Sequence, residues 1–570
     1  MATHHTPLHR AAAEVVAAYA GISATDLKVE APPRPELGDL AVGCFAIAKA
    51  RKQNPAEVAR AIAAAFTPTD LLASATAAGP FVNFRADRRA TYRWLIDGAM
   101  HSRLVPTELG TGKTICVEFG SPNISKHLAY HHIRGTTIGH ALAEIFRALG
   151  YHVVTINFLG DWGTTHGMLL AAWARWGPVE PLDVTGLNAL YVRFNAEMKR
   201  DPALEPEARA WFKRLEAGEP EARALWQRFR DVSWAEFQSV YDILGIEYDE
   251  VRGEAAYEPD MPRILAVLAA KGLSHESEGA LVVDLPDEKN PILLLTRDGT
   301  TLYATRDTAA AEYRWNTYHF TRSLYIVDRG QSLHFRQLFK LLGRMGHAWA
   351  TRCEHIPYGL VKIDNQKSSS RLGTVLMRDV FTIAEDLVRV AIADKNPDLP
   401  PAVVSEVARQ VGIGAIVFAN LAPQRDKDID FDLDHAVSLE GDSGPYLQYS
   451  HARCAAIVRK AGEAVTSLDG VDLSRLATEL EWAVARRLIE FPDTVVRASE
   501  ACEPHVIGHY LLQLAGEFSR WYTAGSGDAS LRVVCDDPAT RRARLALVAA
   551  VQATLRDGLG MLGIAAPDEM

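Results

Sequence analysis

The stretch from Glu118 to His132 places Lys126, His127, His131 and His132 directly ahead of a helical pattern and after a strand-like run. Free backbone N–H groups at a helix start attract phosphate, and nearby cations stabilise charge that develops on phosphorus. The chemistry this loop suits is reaction at a nucleoside triphosphate. A second segment, Lys367-Ser-Ser-Ser-Arg371-Leu-Gly373, sets two cations among hydroxyls and a glycine, as a loop closing over phosphates requires. A third, Leu159-Gly-Asp-Trp-Gly163, ends a strand-like run, where the substrate-side residues of an α/β site belong. Each has a plainer reading: solvated loop histidines, an ordinary exposed turn and a packing tryptophan.

The elements that must position these groups follow from periodicity. Thr114 to Phe119 alternates as a strand does, and Ile138, Ala141, Leu142, Ile145 and Leu149 share one helical face up to Gly150, which is placed as a cap. Tyr151 to Phe158 reads as a second strand. Strand, helix and strand at this spacing form a βαβ unit with parallel strands and a right-handed crossover. Residues from about 175 to 290 read as a mostly helical insertion. Ala280 to Asp284, Pro291 to Leu295 and Ser323 to Val327 are then expected as further strands of the same sheet. Ahead of this region, helical patterns around 8–20, 39–52 and 56–66 and an extended Gly79 to Phe84 suggest a small α+β domain. After about residue 400 nearly everything reads as helix.

Composition bounds the function classes. The 570 residues hold 61 Lys plus Arg against 71 Asp plus Glu, a formal net of -10. That excludes an indiscriminate polyanion coat and confines nucleic-acid contact to local surfaces. At roughly 150 residues per domain the length suggests about three to four domains. The six cysteines are widely spaced with no CxxC pair, so neither a disulfide framework nor a zinc knuckle is expected, and a reducing cytoplasm is the simplest home. No secretory signal pattern opens the chain, and no run of about eighteen apolar residues suggests a membrane span. A dinucleotide-binding dehydrogenase is excluded because no Gly-x-Gly-x-x-Gly follows the first strand.

Taken in order, the stretches Glu118 to Gly139, Ile156 to Gly167, Asp298 to Asp307, Gln331-Ser-Leu-His334, Lys367 to Gly373, Gly444 to Arg453 and Leu562 to Met570 resemble those of arginyl-tRNA synthetases, which are class I aminoacyl-tRNA synthetases. The resemblance runs over almost the whole chain. It implies an α/β fold: a Rossmann-type catalytic domain over 106–400 with helical insertions at about 175–290, an N-terminal α+β tRNA-elbow domain over 1–105, and a C-terminal all-α helical-bundle anticodon-binding domain over 401–570. It further implies ATP as substrate with Mg2+, arginine and tRNA(Arg) as partners, no membrane, a cytoplasmic location and a monomer.

Carried over residue by residue, the resemblance assigns Glu118, Tyr303 and Asp307 to an arginine pocket, where carboxylates meet a guanidinium. Asn123 and Gln331 match positions that hold the amino and backbone end of the amino acid. Lys126, His132 and Lys367 match the ATP side, with His131 and Arg371 as further catalytic candidates. Phe81 and Asn83 match the tRNA elbow; Tyr446, Tyr449, Tyr522 and Met570 match the anticodon end. Packing is the plainer role for each tyrosine, and a helix-start arrangement is the plainer role for Tyr303 with Asp307, which the shared pattern outweighs. No metal-ligand cluster is assigned. One departure matters: the family's His-x-Gly-His signature is replaced by Ala129-Tyr130-His131-His132. Either His131 does the work of the missing first histidine, or the adenylation site is damaged. The second case would make the chain a paralogue that binds tRNA or an amino acid without normal aminoacylation, or that serves a small-molecule pathway.

Overall fold

Thr114–Glu118 carries buried side chains on nearly every position, as a strand covered on both faces must. It sits at the centre of a five-stranded parallel sheet in a computed structural model that describes residues 5–295, 303–362, 375–395 and 400–570. On one side lie His152–Asn157 and Glu250–Val251; on the other lie Arg322–Asp328 and Cys353–Tyr358. Register places Glu118 opposite Ile156 and Tyr325. The chain first builds the sheet one way from Thr114–Glu118 and later the other way. The carboxyl ends of Thr114–Glu118 and Arg322–Asp328 therefore flank a topological switch point, where such sheets bind ligands.

Two compact units divide the chain, Gly110–Val437 and Met1–Leu109 with Ser438–Met570. Within the first, the expected helix is Ile133–Ala148, and Ser323 to Val327 joins the sheet as expected. Two strand expectations are corrected. Ala280–Val283 and Ile292–Leu295 join Ser274–Ser277 in a separate antiparallel sheet. The reason is connection length. Only Glu278 and Gly279 separate the first pair, both at positive φ (50° and 81°), and parallel strands need a crossover of about a dozen residues or more. The insertion also ends earlier than about 290: after four helices, Thr164–Trp176, Val184–Met198, Leu204–Glu216 and Pro220–Ile243, the chain returns to the parallel sheet at Glu250.

The domain edge drawn at 401 also moves. Pro401–Leu421 packs on Met377–Lys395 and on Ile133–Ala148, and the unit runs to Val437. The buried Arg134 guanidinium fixes this junction by donating to the carbonyls of Asn420, Gln424 and Lys427. Pro401–Leu421 is the apolar core helix of this unit, buried from Val407 to Leu421 except for brief breaks.

In the other unit, the N-terminal segment is a four-stranded antiparallel sheet, Val29–Glu30, Leu40–Gly43, Phe81–Ala86 and Leu72–Ala78 in spatial order, with the helices Pro7–Ala20 and Pro55–Ala65 packed on it. Pro55 opens one of them and Asn54 caps it, the role their sequence suggests. Five long helices, from Gly444–Ala461 to Pro538–Met561, form the C-terminal bundle. Trp482 joins the two parts: its indole donates to Asp39 at 2.9 Å and its ring meets Tyr92 edge-on.

Candidate active site

Glycines set the position of the central loop. A Cβ at Gly139 would meet Phe119 at 2.2 Å, so the Ile133–Ala148 helix lies directly against the end of the central strand. A Cβ at Gly160 would lie 2.0 Å from Asn123 Oδ1, and Asn123 and Gly160 form an isolated parallel bridge. The loop turns left-handed at Ser125 (φ 65°), whose N–H donates to the Ser233 hydroxyl at 2.9 Å. These contacts aim the loop into a cavity of about 490 Å3 at the switch point.

The cavity brings together five predicted residues, Glu118, Asn123, Tyr303, Asp307 and Gln331. It also holds basic groups to which the sequence reading gives no role. Arg314 Nη2 lies 2.5 Å from Glu118 Oε2, and the Arg314 side chain is 1% exposed. His334 Nε2 lies 2.5 Å from Asp307 Oδ2. Glu254, a third carboxylate on the wall, pairs with Arg306 at 2.8 Å. Burial pushes the Glu118 carboxyl upward and the Arg314 charge pulls it back; a guanidinium is always protonated, so the pair stays ionic. Burial raises Glu254 to about 8, against the pull of Arg306. For His334, burial disfavours the charged ring, but the hydrogen bond and charge of Asp307, with Glu118 and Glu254 behind it, hold its pKa above the ordinary value.

A signal for part of this was present. Tyr303, Asp307 and Arg314 stand at i, i+4 and i+11 of the Tyr303–Tyr318 helix, one stripe at a period of 3.6. Tyr303 is 62% exposed at the rim, and Gln331 is exposed, donating to Asp328 at 3.2 Å.

The phosphate side is less simple than the loop composition suggests. The His132 Nδ1–H donates to the Ala129 carbonyl at 3.0 Å. Burial, with His131 and Lys126 nearby, lowers its pKa to about 4, so the ring is neutral near pH 7. His131 is exposed, its ring 4.1 Å from that of His132. Lys126 rests over the Tyr191 ring at 5.2 Å, a cation–π contact with an insertion helix. His127 is a tether rather than a phosphate ligand: Nδ1 lies 2.6 Å from Glu236 and Nε2 lies 3.2 Å from Thr185. Tyr130 is core, its ring 4.8 Å from that of Phe431 and tilted against it, and it is bonded to Asn420. Lys367 and Arg371 lie outside the described residues. Among the described residues no three His, Cys, Asp or Glu side chains gather as a metal site.

In the other unit, Tyr449 and Tyr522 are 39% and 40% exposed, and the Arg453 guanidinium lies over both rings, at 4.7 and 5.1 Å. Beside Tyr522 is a cavity of about 260 Å3 that Lys460 and Arg532 help to line. Tyr446 is half-buried. The chain end is strapped to the bundle through Gln448, His451 and Arg459, which bond the carbonyls of Ala565, Pro567 and Asp568 and so place Met570. Phe81 packs edge-on with the exposed Phe45. Asn83 is corrected as a contact residue: it is 3% exposed, covered in mid-sheet between Ala41 and Thr76.

The parallel sheet, the cavity at its switch point and the polar loop leading into a helix all lie within residues 98–433, which match the family described as tRNA synthetases class I (R), catalytic domain, so the chain is a class I aminoacyl-tRNA synthetase. Residues 6–86 match the arginyl tRNA synthetase N terminal domain and residues 447–570 the DALR anticodon binding domain. The chain is 41% identical over 548 residues to an arginine–tRNA ligase of Exiguobacterium sp., covering 95% of both chains. It is 39% identical over 571 residues to that of Latilactobacillus sakei, covering 98% of this chain and 99% of the other. The arginyl-tRNA synthetase structure of Thermus thermophilus superposes with a TM-score of 0.83 at 28% identity, covering 99% and 100%. The chain belongs to the arginyl-tRNA synthetase family of aminoacyl-tRNA ligases.

Proposed function

We propose that the protein activates arginine with ATP and transfers it to the 3′ end of tRNA(Arg), and that the cavity at the switch point is the arginine site. The observation that carries this reading is the pair of carboxyl groups, Glu118 and Asp307, that line one cavity together with Asn123. The guanidinium of the substrate lies against the two carboxylates, a planar cation meeting fixed acceptors. Asn123 and Gln331 hold its amino end. The substrate carboxylate attacks the α-phosphate in line and pyrophosphate leaves. The terminal hydroxyl of tRNA then attacks the acyl carbonyl. Neither step needs a protein nucleophile, only placement and charge stabilisation.

On the ATP side, Lys126 and the start of the Ile133–Ala148 helix receive the phosphates, with Lys367 and Arg371 as further cations. His132 enters this step neutral, so Lys126 carries the charge of the loop until anionic phosphate favours the protonated ring. Mg2+ belongs with the nucleotide, since magnesium is held largely by substrate phosphates; the described residues offer it no cluster, and no step is assigned to it. Tyr446, Tyr449, Tyr522 and Met570 belong to the anticodon end, where exposed rings stack on unpaired bases. A cytoplasmic monomer is the proposed setting.

A second reading has one specific observation in its favour. His131 stands where the family signature has glycine, beside an alanine in place of the first histidine. A paralogue without normal adenylation would show this too. Aminoacylation of total tRNA with arginine, against lysine, canavanine and citrulline, separates the two: arginine-specific charging supports the ligase, and binding without charging supports the paralogue.

A further inference from the structure

The carboxyl groups of the cavity are already partnered before any ligand enters, and Glu254, raised to about 8, is mostly protonated near pH 7. Three carboxyl groups stand on its walls, and each has its own basic partner: Glu118 with Arg314, Glu254 with Arg306 and Asp307 with His334. The first two partners are guanidinium groups, which do not lose a proton in a protein. Only His334 can.

A cationic side chain added to a buried site whose carboxyl groups are already partnered adds an unpaired charge, which a low-dielectric interior resists strongly. The excess is removed if one positive charge departs. We propose that His334 is a removable counter-cation for Asp307, so that binding of arginine expels one proton from the His334 Nε2 to solvent and hands the Asp307 carboxylate to the guanidinium of the substrate. This rests on the reading of the cavity as the arginine site.

The geometry suits such an exchange. His334 Nε2 and Asp307 Oδ2 are 2.5 Å apart, and both side chains are partly open to the cavity, 29% and 17% exposed, so a ligand can reach the pair. The groups that face His334 are few. Asp307 on the Tyr303–Tyr318 helix, Glu118 at the end of its strand and Glu254 on its turn all favour the protonated ring. His355, on Cys353–Tyr358, stacks on Phe335 and is bonded to the Val327 carbonyl at 3.0 Å. Burial keeps that second ring below its ordinary pKa, so it does not replace His334 as the proton donor. Arg314 stays with Glu118 throughout, so the floor of the pocket remains fixed while its side wall changes partners.

The exchange has a defined sign. Below the His334 pKa, a proton and a guanidinium compete for Asp307, and each pH unit of acidification weakens arginine about tenfold; above it, affinity levels off. The test is calorimetric binding of arginine to the full chain near about pH 6.5, in buffers of differing ionisation enthalpy. Release approaching one proton per arginine, lost in His334→Gln with a flat pH profile, supports the proposal. Citrulline, a neutral isostere, then binds weakly with no release. Arginine binding without proton release in the wild-type chain overturns it, as does unchanged release in the variant, and both leave the arginine site standing. No arginine binding at all overturns the site assignment and the exchange together. If His334→Gln fails to fold, Glu254→Gln decides: release kept near one proton per arginine supports the exchange, and release lost with the Glu254 carboxyl overturns it.

Discussion

Arg314 lies with Nη2 2.5 Å from Glu118 Oε2 at the floor of the amino-acid cavity, so an arginine of the chain itself already engages a carboxylate that the substrate is to use. Its guanidinium also rests near the Phe158 and Tyr325 rings, at 5.6 and 5.1 Å. The pair is built in, and its consequence is a fixed charge and a fixed orientation for Glu118. Arg314→Met leaves Glu118 as a buried, unpaired acid. The expected cost is about 3–5 kcal/mol of stability, since removing one member of a buried pair strands the other. Denaturant unfolding checks this. A double variant, Arg314→Met with Glu118→Gln, recovers much of that stability while losing arginine binding.

Asp307→Asn keeps the shape of the pocket and removes the charge that the substrate guanidinium meets. The expected loss is about 2–5 kcal/mol in arginine recognition, an increase of roughly 30-fold to several thousandfold in the KM for arginine. The KM for ATP stays near its wild-type value. Equal changes in both constants would place Asp307 in maintenance of the fold.

Gly160→Ala tests the placement of the loop. The added methyl would sit 2.0 Å from Asn123 Oδ1, so the side chain that holds the amino end must leave its place. Arginine KM rises, and thermal stability falls by only about 1–3 kcal/mol because the clash is local. An unchanged KM contradicts the role given to Asn123.

At the anticodon end, Tyr449→Ala and Tyr522→Ala each raise the tRNA KM by about five- to 150-fold, the equivalent of about 1–3 kcal/mol per stacked base. Tyr446→Ala acts in the same direction, and the KM for arginine stays nearly constant in all three. A variant with the reverse pattern has a tyrosine that holds the bundle together instead.

Acid stability follows from His166. Burial is the main cause that lowers its pKa to about 4, with the Lys126 and Arg306 charges adding to it and a hydrogen bond to Gly160 opposing. The folded value is below the unfolded one, about 6.5, so the neutral ring contributes stability that is fully present above about 6.5 and is lost as pH falls toward about 4. The amount at stake is on the order of 3 kcal/mol. Thermal melts across this window decline in the wild-type chain and decline less in His166→Asn. An equal decline in both would assign the acid sensitivity to other groups.

Much of this architecture was legible because periodicity reports burial. Thr114 to Phe158 reads as strand, helix and strand from its apolar spacing alone. The same apolar signal does not say which sheet a short strand joins. Ala280–Val283 and Ile292–Leu295 are apolar runs like those of the parallel sheet, and only the shortness of their connections makes them a hairpin pair. Pro401–Leu421 has the composition of a core helix in either unit; the carbonyls that Arg134 gathers decide the matter, and those bonds join residues nearly three hundred positions apart. The acidic half of the cavity was named from motifs, while Arg314, on the Tyr303–Tyr318 helix, and His334, on the Ser332–Arg344 helix, became visible as partners of Glu118 and Asp307 only in the packed fold. The altered Ala129-Tyr130-His131-His132 turn was legible as a departure. Its neutral, partly buried His132 was not, because desolvation is a property of the packed fold.

That turn bears on the central claim, that the site adenylates arginine despite its changed signature. The most direct measurement is incorporation of labelled pyrophosphate into ATP by the purified full chain, with arginine and tRNA present. The expected result is exchange that depends on arginine and is strongly reduced in Lys126→Met, and a large loss, not a gain, when Ala129→His and His131→Gly are combined. No exchange at any tRNA concentration, or activity that appears only in the double variant, would contradict it.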